Sequence, residues 1–103
     1  MSKDTTSIDQ DLFEKYIDLL HSIDRKDARE YAYPTVQGWL KDIDAYGLVN
    51  LQLTADLVSE WLEPAGLTDL GRQLLYACRN KTFVSKITDY DIENVIDLLV
   101  VNR

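Results

Sequence analysis

The sequence predicts an all-α fold, a single compact bundle of about five helices with short connectors that occupies residues 1–103. Three observations predict this class. Apolar residues recur at helical spacing in five segments. Both prolines, with Gly47 and Gly66, fall at the ends of these segments or between them, where helices start and stop. Only one short stretch, TFVSKI, has the composition of a β-strand, and we expect it to be a connector. With 103 residues, 46% of them hydrophobic, the chain can form one domain with one core.

The first two predicted helices cover residues 7–24 and 34–47. Ser7 or Asp9 can cap the first, because their side chains can accept hydrogen bonds from free backbone N–H groups. Pro34 suits the first turn of the second helix, and Gly47 is a natural residue at its end. The spacing of the second helix places Trp39 on the buried face, so we expect its ring to belong to the core.

A third helix is predicted to begin after Thr54 and to end near Glu63, because Pro64 and Gly66 follow. A fourth should cover residues 68–80, with an apolar face formed by Leu70, Leu74, Leu75 and Cys78. The last helix should open with Thr88-x-x-Asp91, a spacing that resembles a capping box. Its spacing predicts that it buries Ile92, Val95, Ile96 and Leu99.

The charge of the chain narrows the class of partner. Eleven basic and eighteen acidic residues give a formal net charge of −7. Such a surface repels phosphate backbones, which argues against direct nucleic-acid binding, and it attracts basic proteins. Many proteins carry a net negative charge only because it keeps them soluble. The charge therefore does not by itself establish a binding role.

No residue pattern predicts catalysis, a cofactor or a metal site, so we do not expect an enzyme. Cys78 lies on an apolar helix face and is expected to be a buried structural thiol. His21 is the single histidine and is expected to be a solvated helix residue, since no nucleophile or second ligand is suitably spaced. A single cysteine, no membrane-spanning apolar run and a polar first segment predict a cytoplasmic protein.

The predicted helix surfaces carry three groups of exposed carboxylates with nearby tyrosines. A tyrosine among carboxylates suits a basic partner, because the ring gives rigid contact area and the acids give charge-assisted hydrogen bonds. Taken singly, each group is more typical of an ordinary solvated helix face. The candidate partner-binding residues are Asp42, Asp44 and Tyr46; Asp56, Glu60 and Glu63; and Tyr90, Glu93 and Asp97.

Small size, acidity, six tyrosines and the missing catalytic set resemble the small helical immunity proteins of bacterial contact-dependent growth inhibition systems. The resemblance covers the whole chain and assigns no residue. It implies a cytoplasmic monomer that binds a basic nuclease toxin domain, expected to be a ribonuclease, as a 1:1 complex and occludes its active site. Two other classes remain open. One is an acidic nucleic-acid mimic that inhibits a defence enzyme, and the other is a helical adaptor or regulatory subunit.

Overall fold

The structure is a computed structural model that describes residues 2–27 and 30–101, with side chains from Gln10 onwards. Within these ranges the chain forms five helices and one two-stranded antiparallel sheet. The prediction of an all-α fold is therefore wrong, and the fold is mixed α and β. In chain order the elements are α1 (Ser2–Arg25), α2 (Pro34–Ala45), β1 (Val49–Ala55), β2 (Glu60–Leu67), α3 (Asp69–Ala77), α4 (Lys81–Ser85) and α5 (Ile92–Val101).

A β-hairpin stands where the third helix was predicted. Apolar and polar residues alternate strictly along β1, VNLQLTA, which is the pattern of a strand with one buried face. The alternation buries Val49 and half-buries Leu51 against the core. The helix prediction followed the good helix formers between residues 55 and 63. Cross-strand pairing overrides their propensity, and it brings Leu53 opposite Leu62.

The hairpin turn is organised by Asp56. Its carboxylate accepts hydrogen bonds from the backbone N–H groups of Val58 and Ser59, both at 2.8 Å. The backbone N–H of Asp56 donates to the carbonyl of Ser59 at 2.9 Å. The hydrogen bonds from Ser59 and Val58 hold the pKa of Asp56 below its usual range. Asp56 is therefore a turn residue that reverses the chain between β1 and β2.

Pro64 lies inside β2 and does not end the element. It faces Leu51, and the register shifts between Leu51 and Asn50, so that Ala65 forms a bulge opposite no single residue. Proline is compatible with this position because β2 is an edge strand and the missing N–H points away from β1.

Helices α1, α2 and α3 confirm the predicted segments with shifted ends. Because α1 begins at Ser2, Ser7 and Asp9 lie within the helix and not at its N-cap. Helix α2 begins at Pro34, and Gly47 follows it with a φ of 74°, a conformation that favours glycine. Thr68 caps α3, and its hydroxyl accepts a hydrogen bond from Gly71 N–H at 3.0 Å.

The C-terminal elements differ from the prediction in two details. Most of TFVSKI forms the short helix α4, because Asn80 caps its N-terminus and Phe83 is buried. Helix α5 begins at Ile92, later than the predicted Thr88. Its first turn is capped by Asp91, whose carboxylate accepts a hydrogen bond from Glu93 N–H at 3.0 Å.

All five helices and the base of the hairpin contribute to the core. Trp39 is half-buried and packs against this core, as do Tyr46 and Cys78. In the described part of the chain, no helix has the length and apolar character needed to cross a bilayer. The most deeply buried side chains are Leu19, Leu20, Leu40, Ile43, Leu48, Leu74, Leu75 and Val95.

Candidate protein-binding surface

Three carboxylates and two tyrosines from separate parts of the chain meet on one side of the molecule. Asp42 and Tyr46 lie at the C-terminal end of α2, whereas the others lie at the start of α5 or just before it. Tyr46 lines one surface depression together with Tyr90 and Asp91, so the two helix ends lie beside each other, and Asp42 lies one turn before Tyr46 on the same side of α2. We call this group the tyrosine–carboxylate patch, and it consists of Asp42, Tyr46, Tyr90, Asp91 and Glu93.

A buried tyrosine of α1 forms a hydrogen bond with one carboxylate of the patch. The Tyr16 hydroxyl donates a hydrogen bond of 2.7 Å to Asp42 Oδ2 across 26 positions of sequence. Tyr16 is 5% exposed, and Asp42 is exposed. Burial, with the hydrogen bond and charge of Asp42, raises the pKa of Tyr16 far above its usual range. The phenol therefore stays protonated and orients one oxygen of Asp42, while the carboxylate remains exposed to solvent.

The electrostatic character of the patch is negative around a neutral tyrosine. Partial burial, followed by the charges of Asp91, Glu93 and Asp42, raises the pKa of Tyr46. Its hydroxyl therefore remains a hydrogen-bond donor at neutral pH. Two salt bridges of the described residues join Arg25 to Asp27 and Arg72 to Asp69, and neither involves the patch. The three carboxylates are thus available to cations from a partner.

Apolar contacts fix the second tyrosine. The rings of Phe13 and Tyr90 pack edge to face, with centroids 5.5 Å apart and planes inclined at 62°. Beside them is a shallow depression of about 110 Å³, lined by Leu12, Phe13 and Ile92 together with Tyr16, Tyr46 and Tyr90. The patch therefore combines apolar ring surface with the carboxylates, a combination that protein interfaces use for anchor residues.

The loop that carries Tyr90 is held by its own acidic residues. One oxygen of Asp89 accepts from the N–H of Asp91 at 3.0 Å, and the other accepts from Asn94 Nδ2 at 2.6 Å. Asp91 in turn caps α5 through Glu93 N–H. Carboxylates at a helix N-terminus interact favourably with the helix dipole, so this concentration of negative charge can form without a paired cation.

The structure brings four of the nine predicted residues together and separates the other five. Asp42 and Tyr46 meet Tyr90 and Glu93, so two of the predicted acidic faces form one surface. Asp44 is exposed on α2, but it lies two residues from both Asp42 and Tyr46 and therefore on the opposite side of the helix. Asp97 lines a different groove, which also contains Lys86 and Asn94.

The predicted acidic stripe of Asp56, Glu60 and Glu63 does not exist, because it required a helix. Neighbours at odd spacing point to opposite faces of a strand, so Glu60 and Glu63 do not share a face of β2. Glu63 accepts a hydrogen bond from Trp61 Nε1 at 3.0 Å. Asp56 is used in the turn.

Asp91 and Tyr16 also belong to this region but were not among the predicted binding residues. A detectable signal for Asp91 was the acid at every second position of DYDIE, residues 89–93, directly before a helix. Helical spacing aligns Tyr16 with Phe13, Leu19 and Leu20 on the apolar face of α1, where it is buried. Its hydrogen bond to Asp42 joins α1 to α2, and a contact between distant segments cannot be predicted from a local residue pattern.

A larger cleft of about 490 Å³ adjoins the depression beside the patch, and Phe13 and Tyr90 line both cavities. The cleft lies between α1 and the segment of α3 and α4, and it includes His21 and Cys78. His21 is half-buried in its wall, where a solvated residue was expected. Burial raises the pKa of the Cys78 thiol to about 11, so this thiol is protonated at neutral pH and is a poor nucleophile.

Within residues 10–27 and 30–101, no group of three or more His, Cys, Asp or Glu side chains is arranged to hold a metal ion. No protein-family model, curated protein or solved structure matches the chain.

Proposed function

We propose that this chain is a non-catalytic inhibitor that binds a basic protein through the tyrosine–carboxylate patch. Its target is a nuclease toxin domain, a ribonuclease, whose active site it covers, and it acts in the cytoplasm as an immunity protein. The observation that carries the proposal is that Tyr46, Tyr90 and Asp91 line one depression, with Asp42 and Glu93 on the same two helix ends. Neither described salt bridge neutralises these carboxylates.

The charge of the patch suits the active site of a nuclease. Such sites hold phosphate through lysine and arginine side chains, so carboxylates can occupy the same positions. The net charge of −7 attracts a basic domain over a distance and accelerates its association. This attraction weakens as salt screens it.

The tyrosines supply what charge alone does not. Tyr46 and Tyr90 are half-buried, so each ring is held in place before a partner arrives. A ring that is already ordered loses little entropy on binding, and tyrosine is enriched among residues that dominate binding energy. We therefore assign specificity and slow dissociation to the tyrosines, and fast association to the carboxylates.

The size of the molecule is compatible with such a complex. Its accessible surface is 6726 Å². An interface of standard size covers about 800 Å² of each partner, which is roughly one-eighth of this surface. The patch and the protein surface around it can provide that area in a 1:1 complex.

The experiment expresses the toxin domain encoded beside this gene, with and without the chain, and measures cell survival. Wild-type protein should restore growth, and the Tyr46→Ala/Glu93→Gln double variant should restore it poorly. The matched control is Asp44→Asn/Asp97→Asn, which removes two carboxylates from the same two helices outside the patch and should protect fully. Cells that die equally with and without the wild-type chain would refute the immunity function.

A further inference from the structure

The hairpin has one covered edge and one open edge. On β2, the Leu62 N–H donates to Gln37 Oε1 at 2.8 Å, and Gln37 Nε2 donates to the Leu62 carbonyl at 2.7 Å. A side chain of α2 therefore satisfies both outward backbone groups of Leu62 on the outer edge of β2. The sheet ends at β1, and no described group bonds the outward backbone atoms of its central residues. Gln52, Leu53 and Ala55 are exposed there.

The phase of the strand tells which β1 residues point their backbone groups outward. Because Leu62 directs its N–H and carbonyl away from β1, the facing pair Leu53–Leu62 is not hydrogen-bonded. Bonded and non-bonded pairs alternate along an antiparallel ladder, so Leu51 and Ala55 are in the same phase as Leu53. Pro64, which has no N–H, faces Leu51 and fits this phase. Leu51, Leu53 and Ala55 therefore present three unpaired N–H groups and three carbonyls.

We propose that a second copy of this chain pairs with this edge, antiparallel, about a two-fold axis at Leu53. In that register Leu53 faces its own equivalent, and Leu51 of each copy faces Ala55 of the other. Every outward residue then meets another outward residue. Each facing pair exchanges two N–H···O bonds, so the three pairs give six, and the two hairpins form one four-stranded sheet.

The side chains of β1 are compatible with its own copy. Natural sheets protect open edges with charged residues or proline, and VNLQLTA contains neither. Leu53 is 65% exposed and lies beside half-buried Leu62, so pairing joins two leucines from each copy into one apolar row. Just beyond the paired segment, Asp56 comes opposite Asn50, which avoids a facing pair of like charges. The fully exposed turn residue Leu57 comes next to the start of the other copy's strand.

The net charge of the chain opposes this pairing, so the dependence of dimerisation on salt is diagnostic. Each copy carries −7, so the two molecules repel each other at low ionic strength. Self-association should therefore strengthen with added salt, whereas binding of a basic partner to the tyrosine–carboxylate patch should weaken. Pairing at one strand edge covers less than the roughly 800 Å² per partner of a standard interface. The dimer is thus in equilibrium with the monomer that the sequence led us to expect.

Sedimentation velocity on the full chain, over a series of protein and salt concentrations, tests the proposal. The dimer fraction should rise with both. Leu53→Lys places two ammonium groups at the axis and should leave the protein monomeric. Gln52→Lys adds the same charge to the same strand but faces Thr54 of the other copy, and it should still dimerise. A wild-type chain that stays monomeric at millimolar concentration in high salt overturns the proposal, as does an equal effect of the two lysines.

Cysteine cross-linking in a Cys78→Ser background tests the register. Leu53→Cys places two thiols on a hydrogen-bonded pair, where Cα atoms are about 5.5 Å apart and a disulfide can form. Two copies of Gln52→Cys are diagonal neighbours at about 7–8 Å, which is too far. Selective oxidation of the Leu53→Cys protein supports the axis, and preferential cross-linking of Gln52→Cys contradicts it. Circular dichroism and thermal melting confirm that each variant folds. Neither assay depends on patch residues, so failure here leaves the proposed function standing.

Discussion

The contact between α3 and the residue before β1 leaves no space for a side chain at Gly71. A Cβ added there would overlap the carbonyl oxygen of Leu48 and lie 3.0 Å from its carbonyl carbon. Leu48 is fully buried, and its carbonyl also accepts the Thr68 N–H at 3.1 Å. The obstruction is backbone, so no rotamer change can relieve it. The Gly71→Ala substitution must therefore push α3 away from the hairpin.

The size of the effect follows from two opposing terms. Overpacking of this kind costs typically about 1–3 kcal/mol, and a backbone clash belongs at the upper end. Alanine regains about 1 kcal/mol of helix propensity relative to glycine. The net loss should be about 2 kcal/mol or more, a large part of the roughly 5–15 kcal/mol that stabilises a small domain.

Urea denaturation followed by tryptophan fluorescence measures this loss, with Gly38→Ala as the matched control. Gly38 is an exposed glycine in α2, and an added Cβ there meets no atom within 4 Å. Gly38→Ala should therefore stabilise the protein by about 0.5–1 kcal/mol. A Gly71→Ala protein as stable as wild type would refute the packing of α3 on Leu48, and so would equal shifts in both variants.

Three further predictions concern individual side chains. Tyr16→Phe removes the hydrogen bond to exposed Asp42 and should lower the free energy of unfolding at pH 7 by about 1 kcal/mol. Urea titration measures this free energy, and an unchanged value would show that the bond contributes nothing. The Cys78 thiol is neutral in both states well below pH 9, but between pH 9 and about 11 the unfolded state ionises first. Stability should therefore fall as pH rises through this window, by at most about 1.4 kcal/mol per pH unit because the thiol is only partly buried. Cys78→Ala should remove that part of the slope, and identical pH profiles would contradict the burial of the thiol. Asp56→Ala removes the carboxylate that accepts two hydrogen bonds in the turn. It should lower the melting temperature more than the control Glu60→Ala, because the Glu60 side chain is exposed on β2. Equal melting temperatures of the two variants would argue against this role of Asp56 in the turn.

Local sequence patterns predicted most helices because the signals for a helix lie within the helix itself. Pro34 and Gly47 mark the two ends of α2, and its apolar spacing identifies the buried face that contains Leu40 and Ile43. The hairpin escaped prediction because a strand is stabilised by residues distant in sequence, such as Leu62 opposite Leu53. Strict alternation in VNLQLTA was the available signal, and the helix formers that follow it obscured it.

The candidate site was predictable in its parts and not in its assembly. Asp42, Tyr46, Tyr90 and Glu93 could be named because exposed acids near tyrosines stand out in an amphipathic helix. Their meeting depends on how α2 and α5 pack around α1, which helical periodicity does not specify. The same lack of tertiary information made Asp44 and Asp97 look equivalent to their neighbours and concealed the role of Tyr16.

The central claim is that the tyrosine–carboxylate patch binds a basic protein, and association kinetics with the toxin domain encoded beside the gene test it most directly. The patch variant is Asp42→Asn/Asp91→Asn/Glu93→Gln, in which asparagine can still cap α5 and accept the Tyr16 hydrogen bond. The control, Asp44→Asn/Glu60→Gln/Asp97→Asn, removes the same charge outside the patch. We predict that wild-type association slows as salt increases. The patch variant should associate much more slowly at low salt, with a flatter salt dependence, whereas the control should lose only the smaller effect of net charge and stay closer to wild type. Equal rates for the two variants, or a wild-type rate that salt does not change, would contradict the account.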